Sequence, residues 1–221
     1  MERTKEKKPN SFVKKNLKWI IFFIAVILFL EVLDEVLGKE IMKRDMYTYN
    51  FLSRYIIKDW LTPIVKFITT FGSAWFLTIL SVILFFAVKN RRIALSIPVN
   101  LALVGALNFT LKNIIQRDRP TGYRLVEQNG YSFPSGHSMA SFAFYGFLIY
   151  LIHKKVKDET NRKFGIVYLI LLIVLIGISR IYLGVHYASD VYAGMLISFA
   201  YLTVYTSIID DFIGTANKNK R

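Results

Sequence analysis

Residues 164–183 read FGIVYLILLIVLIGISRIYL, an apolar run interrupted near its end by a serine and an arginine, after which three more residues follow. A helix needs about 20 apolar residues, each rising 1.5 Å, to cross roughly 30 Å of hydrocarbon. This run has that length. Five further runs of similar character lie at 18–37, 62–88, 93–114, 136–153 and 189–212. The sequence therefore predicts an all-α membrane protein with a bundle of six spanning helices.

The composition agrees with a membrane protein. Of the 221 residues, 54% are hydrophobic, which is more than a soluble domain of this length needs for its core. The net charge of +14 would also suit nucleic acid or an anionic membrane surface. Because the apolar runs favour the membrane, we expect no nucleic-acid partner. The chain has no cysteine, which excludes disulfides, thiolate catalysis and cysteine-based zinc sites.

The positions of lysine and arginine predict the orientation. Seven occur up to Lys18, three at 89–92, five at 153–163 and three at 217–221. Cytoplasmic segments of membrane proteins are enriched in these residues. Both termini are therefore predicted to be cytoplasmic, and the first, third and fifth connections between spans should face outward.

The chain is predicted to form one membrane domain, residues 18–213, between cytoplasmic tails at 1–17 and 214–221. The basic stretch before the first span resembles the start of a signal peptide. No sequence like a signal-peptidase site follows it, so we expect an uncleaved first helix.

The first outward connection contains five basic and three acidic residues between 38 and 61. Its part at 40–60 mixes aromatic, aliphatic and charged residues, which predicts a helix lying along the outer interface. Three acids near the outer end of the first helix are expected to fray it or to pair with a neighbouring base, with a role in substrate gating as the alternative. These acids are Glu31, Asp34 and Glu35.

Three polar stretches are predicted to meet on the outer side. KNIIQRDRP at 112–120 closes the third span, PSGHS at 134–138 opens the fourth, and SRIYLGVHYASD at 179–190 joins the last two. Ionisable residues at membrane depth are costly and are commonly functional. The candidates are Lys112, Arg119, His137, Arg180, His186 and Asp190.

The candidate lysine and arginines are suited to bind phosphate, because their N–H groups donate to its oxygens. Lys112, Gln116 and Arg119 are spaced i, i+4 and i+7, so they would share a helix face if the third helix extends that far. Ser135 and Gly136 open the next helix, where unpaired N–H groups attract anions. Together these residues predict a cage for a phosphate-sized group.

The two histidines allow chemistry in such a cage. His186 and Asp190 are four residues apart, so on one helical turn the carboxylate would accept the Nδ1 proton. Nε2 would then be oriented as a nucleophile. His137 would protonate the departing oxygen and afterwards accept a proton from water.

These stretches resemble, in order and spacing, the three-part signature of the type 2 phosphatidic acid phosphatase superfamily, whose fold is shared with vanadium haloperoxidases. The patterns K-x6-RP, PSGH and SR-x5-H-x3-D are all matched. The matching residues are Lys112, Arg119, Pro120, Pro134, Ser135, Gly136, His137, Ser179, Arg180, His186 and Asp190. The resemblance implies hydrolysis through a phosphohistidine, with no metal and no cofactor.

The same resemblance assigns roles. It makes His186 the nucleophile, Asp190 the residue that orients it and His137 the acid. The implied phosphate-binding residues are Lys112, Arg119, Ser135, Gly136, Arg180 and Ser179. The implied substrate is a lipid phosphate at the outer face. Phosphatidylglycerol phosphate or phosphatidic acid is one class, and undecaprenyl diphosphate, the cell-wall carrier, is the other.

Three other interpretations use the same residues. A transporter or anion-binding protein could use the cationic cage without turnover, although it would not need the two histidines. A haloperoxidase could hold vanadate in the cage, but the membrane spans argue against it, and vanadate is expected to inhibit. Zinc could be bound by His186, His137 and Asp190, but a structural zinc site has four ligands and the adjacent cations would repel the metal.

Overall fold

A computed structural model of the chain describes residues 11–38 and 43–218. In these residues the chain forms eight α-helices and no strand, so the predicted all-α class is confirmed. The helices are α1 (Ser11–Leu37), α2 (Lys43–Phe51), α3 (Thr62–Thr70), α4 (Ala74–Ala87), α5 (Arg91–Ile115), α6 (Gly136–Lys155), α7 (Glu159–Tyr182) and α8 (Ala188–Lys218). A π-helical turn at Leu52–Ile56 follows α2.

The predicted spans are all helical, but the second is broken. α3 and α4 meet at an angle of 45°. Within the described residues, α5, α7 and residues 188–213 of α8 are long and apolar enough to cross a membrane, and the bent α3–α4 pair makes a fourth span if it counts as one. The predicted number of six is therefore not confirmed.

Helix α6 lies at the centre of the bundle, in contact with α4, α5, α7 and α8. Its buried residues include Ser138 and Ser141 as well as Phe144 and Phe147. A helix surrounded by protein does not need the uniformly apolar surface that lipid requires. This position explains how α6 can begin with a polar sequence and carry functional groups.

The outer surface of the bundle is apolar. Phe23 on α1, Phe86 on α4 and Phe164 on α7 are each exposed by 60% or more. Contiguous exposed apolar surface of this kind is unfavourable in water and favourable against lipid tails. The exposed residues therefore mark the lipid-facing side of these helices.

The predicted interfacial helix corresponds to α2 and the π-helical turn, while residues 40–42 of that prediction lie outside the described residues. Tyr47, Tyr55 and Trp60 are 62–73% exposed, as in an aromatic belt at a membrane surface. The pairing expected for the acids of α1 is present for one of the three, since Arg44 of α2 donates to Glu35.

Two glycines allow the close packing that shapes the site. A Cβ on Gly72, at the break between α3 and α4, would lie 2.5 Å from Cγ2 of Ile176. Gly184, in the turn between α7 and α8, has a φ of 71°, and a Cβ there would lie 2.1 Å from the carbonyl oxygen of Tyr123. Both positions therefore exclude larger residues.

Candidate active site

The three polar stretches meet at one end of the bundle, as predicted. Backbone hydrogen bonds join the loop at 116–135 to the α7–α8 turn and to the first turn of α8. Leu125 N–H donates to the carbonyl of Leu183 at 3.0 Å, and Ser135 N–H donates to that of Asp190 at 3.0 Å. The end of α5, the start of α6 and the α7–α8 turn are therefore held together.

His186 and Asp190 form a buried pair. Nδ1 of His186 lies 3.2 Å from Oδ2 of Asp190, and the same oxygen accepts the N–H of Tyr187 at 2.9 Å. The predicted contact is confirmed, but the two residues do not share a helical turn, because α8 begins only at Ala188. His186 lies in the preceding turn, which brings its ring back over the start of α8.

The environment of His186 favours its neutral form. Burial lowers the pKa of His186 to about 4, against the raising effect of Asp190, and the positive charges of Arg119 and Arg180 lower it further. At neutral pH the ring therefore carries one proton. With that proton on Nδ1 facing Asp190, Nε2 is unprotonated and carries a lone pair.

Arg119 lies against that lone pair. Its Nη1 is 3.2 Å from Nε2 of His186 and donates to the carbonyl of Val185 at 2.7 Å. Its other nitrogens donate to backbone carbonyls of the loop at 129–131. Burial lowers the pKa of Arg119 to about 10, so it stays protonated at neutral pH. A phosphate would offer these N–H groups charged acceptors instead of carbonyls.

Lys112 and Arg119 lie close together, but not on one helix face as predicted. α5 ends at Ile115 because Gln116 adopts a left-handed conformation with φ 53°, so the three residues do not share a helix face. Lys112 remains on α5, while Arg119 reaches the site from the loop. Both donate to the carbonyl of Tyr131, and Gln116 is exposed on the surface.

Arg180 is held by two residues outside the signature. Its Nη1 donates to Thr69 Oγ1 at 2.9 Å and its Nη2 to Gln128 Oε1 at 3.1 Å. Its Nε is buried and has no hydrogen-bond partner among the described residues. A buried charged donor without a partner is costly, which suits a site that receives an anion.

A cavity of about 330 Å³ joins these groups. Its lining contains five of the predicted site residues: Lys112, Arg119, Gly136, His137 and His186. It also contains Asn108 and Gln128, two polar residues that the sequence pattern did not single out. Neither residue is a fixed position of the three sequence patterns, so only the folded structure shows that they line the cavity.

The other predicted site residues are not part of the cavity lining. Asp190 contacts His186, and Arg180 contacts Gln128, which does line the cavity. Ser135 caps α6, and its Oγ accepts the hydroxyl proton of Ser138 at 3.0 Å. The hydroxyl of Ser179 donates to the carbonyl of Ile176 at 2.6 Å, which does not support its predicted phosphate contact.

The described residues contain no group of three or more His, Asp or Glu side chains that could hold a metal ion. His137 and His186 share the cavity, but Asp190 is turned to the far side of the His186 ring. The geometry therefore gives no support to the zinc interpretation.

The sequence pattern of the PAP2 superfamily matches residues 93–213, which is more than half of the chain and includes all three stretches. The chain belongs to the PAP2 superfamily. This PAP2 protein is therefore a phosphoric ester hydrolase, and its apolar helices make it a multi-pass membrane protein.

Relatives and solved structures agree with this assignment. Phosphatidylglycerophosphatase B of Bacillus subtilis is 37% identical over 144 residues, 63% of this PAP2 chain and 70% of the relative. The crystal structure of a transmembrane PAP2-type phosphatidylglycerolphosphate phosphatase from Bacillus subtilis superposes with a TM-score of 0.76 and 27% identity, covering 86% of this chain and 96% of that one. Dolichyldiphosphatase 1 of Dictyostelium discoideum is 27% identical over 120 residues, 52% of each chain.

Proposed function

We propose that this protein removes phosphate from a lipid phosphomonoester or diphosphate at the outer membrane face, through a phosphohistidine at His186. The observation that carries the proposal is the buried His186–Asp190 pair, in which Nε2 of His186 faces Arg119 beside a cavity lined by cations and a second histidine. A binding or transport site would need the cations, but it would not need an oriented nucleophile.

The first step forms the phosphoenzyme. Nε2 of His186 attacks phosphorus while the bond from phosphorus to the lipid oxygen breaks, and His137 donates its proton to that oxygen. His137 carries its proton in the complex with phosphate, because the negative charge of the bound phosphate favours the cationic ring. Asp190 stabilises the positive charge that develops on His186.

The second step restores the enzyme. Water attacks phosphorus, the nitrogen–phosphorus bond breaks, and His137, now neutral, accepts a proton from the water. Inorganic phosphate leaves and Nε2 regains its lone pair. Lys112, Arg119, Arg180 and the N-terminus of α6 stabilise the charge on the transferring group in both steps.

The outer location is proposed from charge. The loops at 89–92 and 153–163 carry the basic residues of the opposite end of the bundle, as expected for the cytoplasmic side. The site lies at the end where the exposed aromatic residues of the α2 region are found. A lipid headgroup at the outer surface would then reach the cavity from the interface.

We propose phosphatidylglycerol phosphate or phosphatidic acid as the substrate class, because a relative that matches 63% of this chain and a solved structure that matches 86% of it are named for phosphatidylglycerophosphate. The second candidate is undecaprenyl diphosphate, favoured by the similarity to a dolichyldiphosphatase. Asn108 and Gln128 are the cavity groups that could distinguish the headgroups by hydrogen bonding.

The deciding experiment measures phosphate release by the purified protein in detergent with EDTA, on phosphatidic acid, phosphatidylglycerol phosphate and undecaprenyl diphosphate. His186→Ala is the matched inactive variant. We expect turnover that survives EDTA, is lost in the variant and is fastest on phosphatidylglycerol phosphate. Tight lipid binding by both proteins with no turnover would instead favour the anion-binding alternative.

A further inference from the structure

A chain of buried charges runs from helix α2 to the proposed nucleophile. Arg117 Nη1 donates to Oδ1 of Asp190 at 2.6 Å, and its Nη2 donates to Oδ2 of Asp45 at 2.9 Å. The other oxygen of Asp190 faces His186. The order of groups is therefore Asp45, Arg117, Asp190 and His186.

These linked side chains are protected from solvent. The side chains of Asp45 and Asp190 are fully buried, and that of Arg117 is 10% exposed. Ser189 completes the network, because its N–H and hydroxyl donate to Asp45 at 2.9 and 2.5 Å and its Oγ accepts from Arg117 at 2.8 Å. Both oxygens of each aspartate and both terminal nitrogens of Arg117 have partners, as a rigid buried network requires.

Arginine suits the middle position for a geometric reason. Its planar fork presents two separate N–H arms, so one guanidinium can hold two carboxylates at fixed angles, which a lysine cannot do. The Arg117 guanidinium also lies over the ring of Tyr187, 4.3 Å from its centroid. Although burial opposes it, the two carboxylates raise the pKa of Arg117, so its charge is permanent.

Neither Asp45 nor Arg117 lines the cavity, and neither is a fixed position of the three sequence patterns. Asp45 comes from the interfacial segment, 145 positions before Asp190 in the chain. Its carboxylate is nonetheless connected to the ring of His186 by three contacts, two of them ion pairs of Arg117 and the third between Asp190 and His186.

We propose that Asp45 and Arg117 are positioning residues for the reaction: they fix the rotamer and the effective charge of Asp190, and through it the orientation of His186. This inference rests on the proposed role of His186 as nucleophile. It makes α2 part of the catalytic apparatus, so that the interfacial helix, and not only the helix bundle, holds the nucleophile in place.

The charges of Asp45, Arg117 and Asp190 alternate in sign. Removing Arg117 or Asp45 should therefore change the protonation of His186 in opposite directions, which a purely structural role would not do. Removing the positive charge of Arg117 leaves Asp190 free to stabilise protonated His186. Removing the negative charge of Asp45 leaves Arg117 to compete more strongly for Asp190. The other groups that act on His186 are Arg119 of the loop, Arg180 of α7 and His137 of α6, and both substitutions leave them in place.

The experiment compares Arg117→Gln, Arg117→Lys and Asp45→Asn in the full-length protein in detergent. For Arg117→Gln we expect kcat to fall about 10- to 100-fold with KM unchanged, the range seen when groups that support a reactive residue are removed. The acid limb of kcat/KM should move up by about 0.5 pH unit or more. Asp45→Asn should also lower kcat, but its acid limb should move down.

Arg117→Lys should retain more activity than Arg117→Gln and leave the acid limb in place, because it keeps the charge and loses only one arm. If Arg117→Gln does not give a single peak in gel filtration, Arg117→Lys is compared with Asp45→Asn instead. Two matched controls change charge at the same end without touching Asp190, and both should behave as wild type. They are Arg124→Gln, in the same loop, and Glu35→Gln, in the exposed ion pair with Arg44.

Equal shifts of the acid limb in one direction for Arg117→Gln and Asp45→Asn, or unchanged kcat in both, would overturn the inference. The wild-type protein is first tested for turnover and for a trapped phosphoenzyme that His186→Ala does not form. A failure at that stage rejects the proposed function. Normal wild-type chemistry with unaffected Arg117 and Asp45 variants rejects only the positioning role.

Discussion

At the scale of single residues, the site depends on Asp190 having both of its oxygens occupied. One oxygen faces His186 and the other accepts from Arg117. This arrangement leaves the carboxylate no alternative orientation. The consequences for catalysis can be tested by changing the charge of the carboxylate without changing its size.

Asp190→Asn should lower kcat roughly 10³- to 10⁴-fold, as loss of the orienting carboxylate does in enzymes with a catalytic histidine. The amide no longer fixes the Nδ1 proton or stabilises the charged ring. Phosphate release and phosphoenzyme trapping measure the effect. Asp118→Asn, an exposed carboxylate of the same loop, is the matched control, and an equal loss in it would contradict the assignment.

The pH dependence follows from the burial of His186. Its pKa is lowered to about 4, so Nε2 of the proposed nucleophile stays unprotonated as the pH falls and gains a proton only near that value. We expect kcat/KM, corrected for the ionisation of the substrate phosphate, to show an acid limb near pH 4 rather than near the ordinary value of about 6.5. A limb near 6.5, in protein that recovers full activity at pH 7, would show that the ring is not buried in the working enzyme.

At the scale of helices, the break between α3 and α4 shapes one wall of the cavity. Gly72 lets Ile176 of α7 approach the break, and its absent Cβ would also lie 3.3 Å from Cδ2 of His137. The bend therefore brings two helices and the proposed acid into contact. Substituting the glycine should disturb folding and catalysis together.

Gly72→Val should destabilise the protein by about 1–3 kcal/mol, as overpacking does in other cores, and should lower activity at least tenfold by displacing His137. Thermal unfolding in detergent and phosphate release measure the two effects. The double variant Gly72→Val/Ile176→Ala should recover part of the stability. Gly165→Ala, whose new Cβ would meet Ile152 at an ordinary 3.5 Å, should be neutral; a neutral Gly72→Val would show that the packing at the break is not needed.

At the scale of the whole molecule, the orientation in the membrane decides which lipids reach the site. The domain limits at 18 and 213 and the cytoplasmic tails remain predictions, and residues 1–10 and 219–221 lie outside the described part of the chain. The absence of cysteine makes the orientation directly measurable, because a single introduced thiol is the only one present.

A cysteine at Glu127, exposed in the loop beside the site, should react with a membrane-impermeant maleimide on intact cells. A cysteine at Lys157, exposed in the connection between α6 and α7, should react only after permeabilisation. The cysteine-free parent reports background labelling. The reverse pattern would place the site in the cytoplasm and would contradict the proposed outer-face reaction.

The sequence by itself determined the helical class, the approximate helix limits and most of the site. Apolar runs predict helices from local composition alone. The three sequence patterns predict the site because their charged and histidine residues occur at fixed spacings. His186 and Asp190 could be paired from their separation of four residues alone, even though they meet across a turn and not within a helix. These features are local, so the order of residues along the chain was enough to find them.

Only the tertiary structure decided the rest. The path of Arg119 from its loop to Val185 and the close approach of Ile176 at Gly72 each depend on how separate elements pack. The link from Asp45 to Arg117 joins residues 72 positions apart. No periodicity encodes such a contact, because it exists only when α2, the loop and α8 are folded against one another and water is excluded from between them.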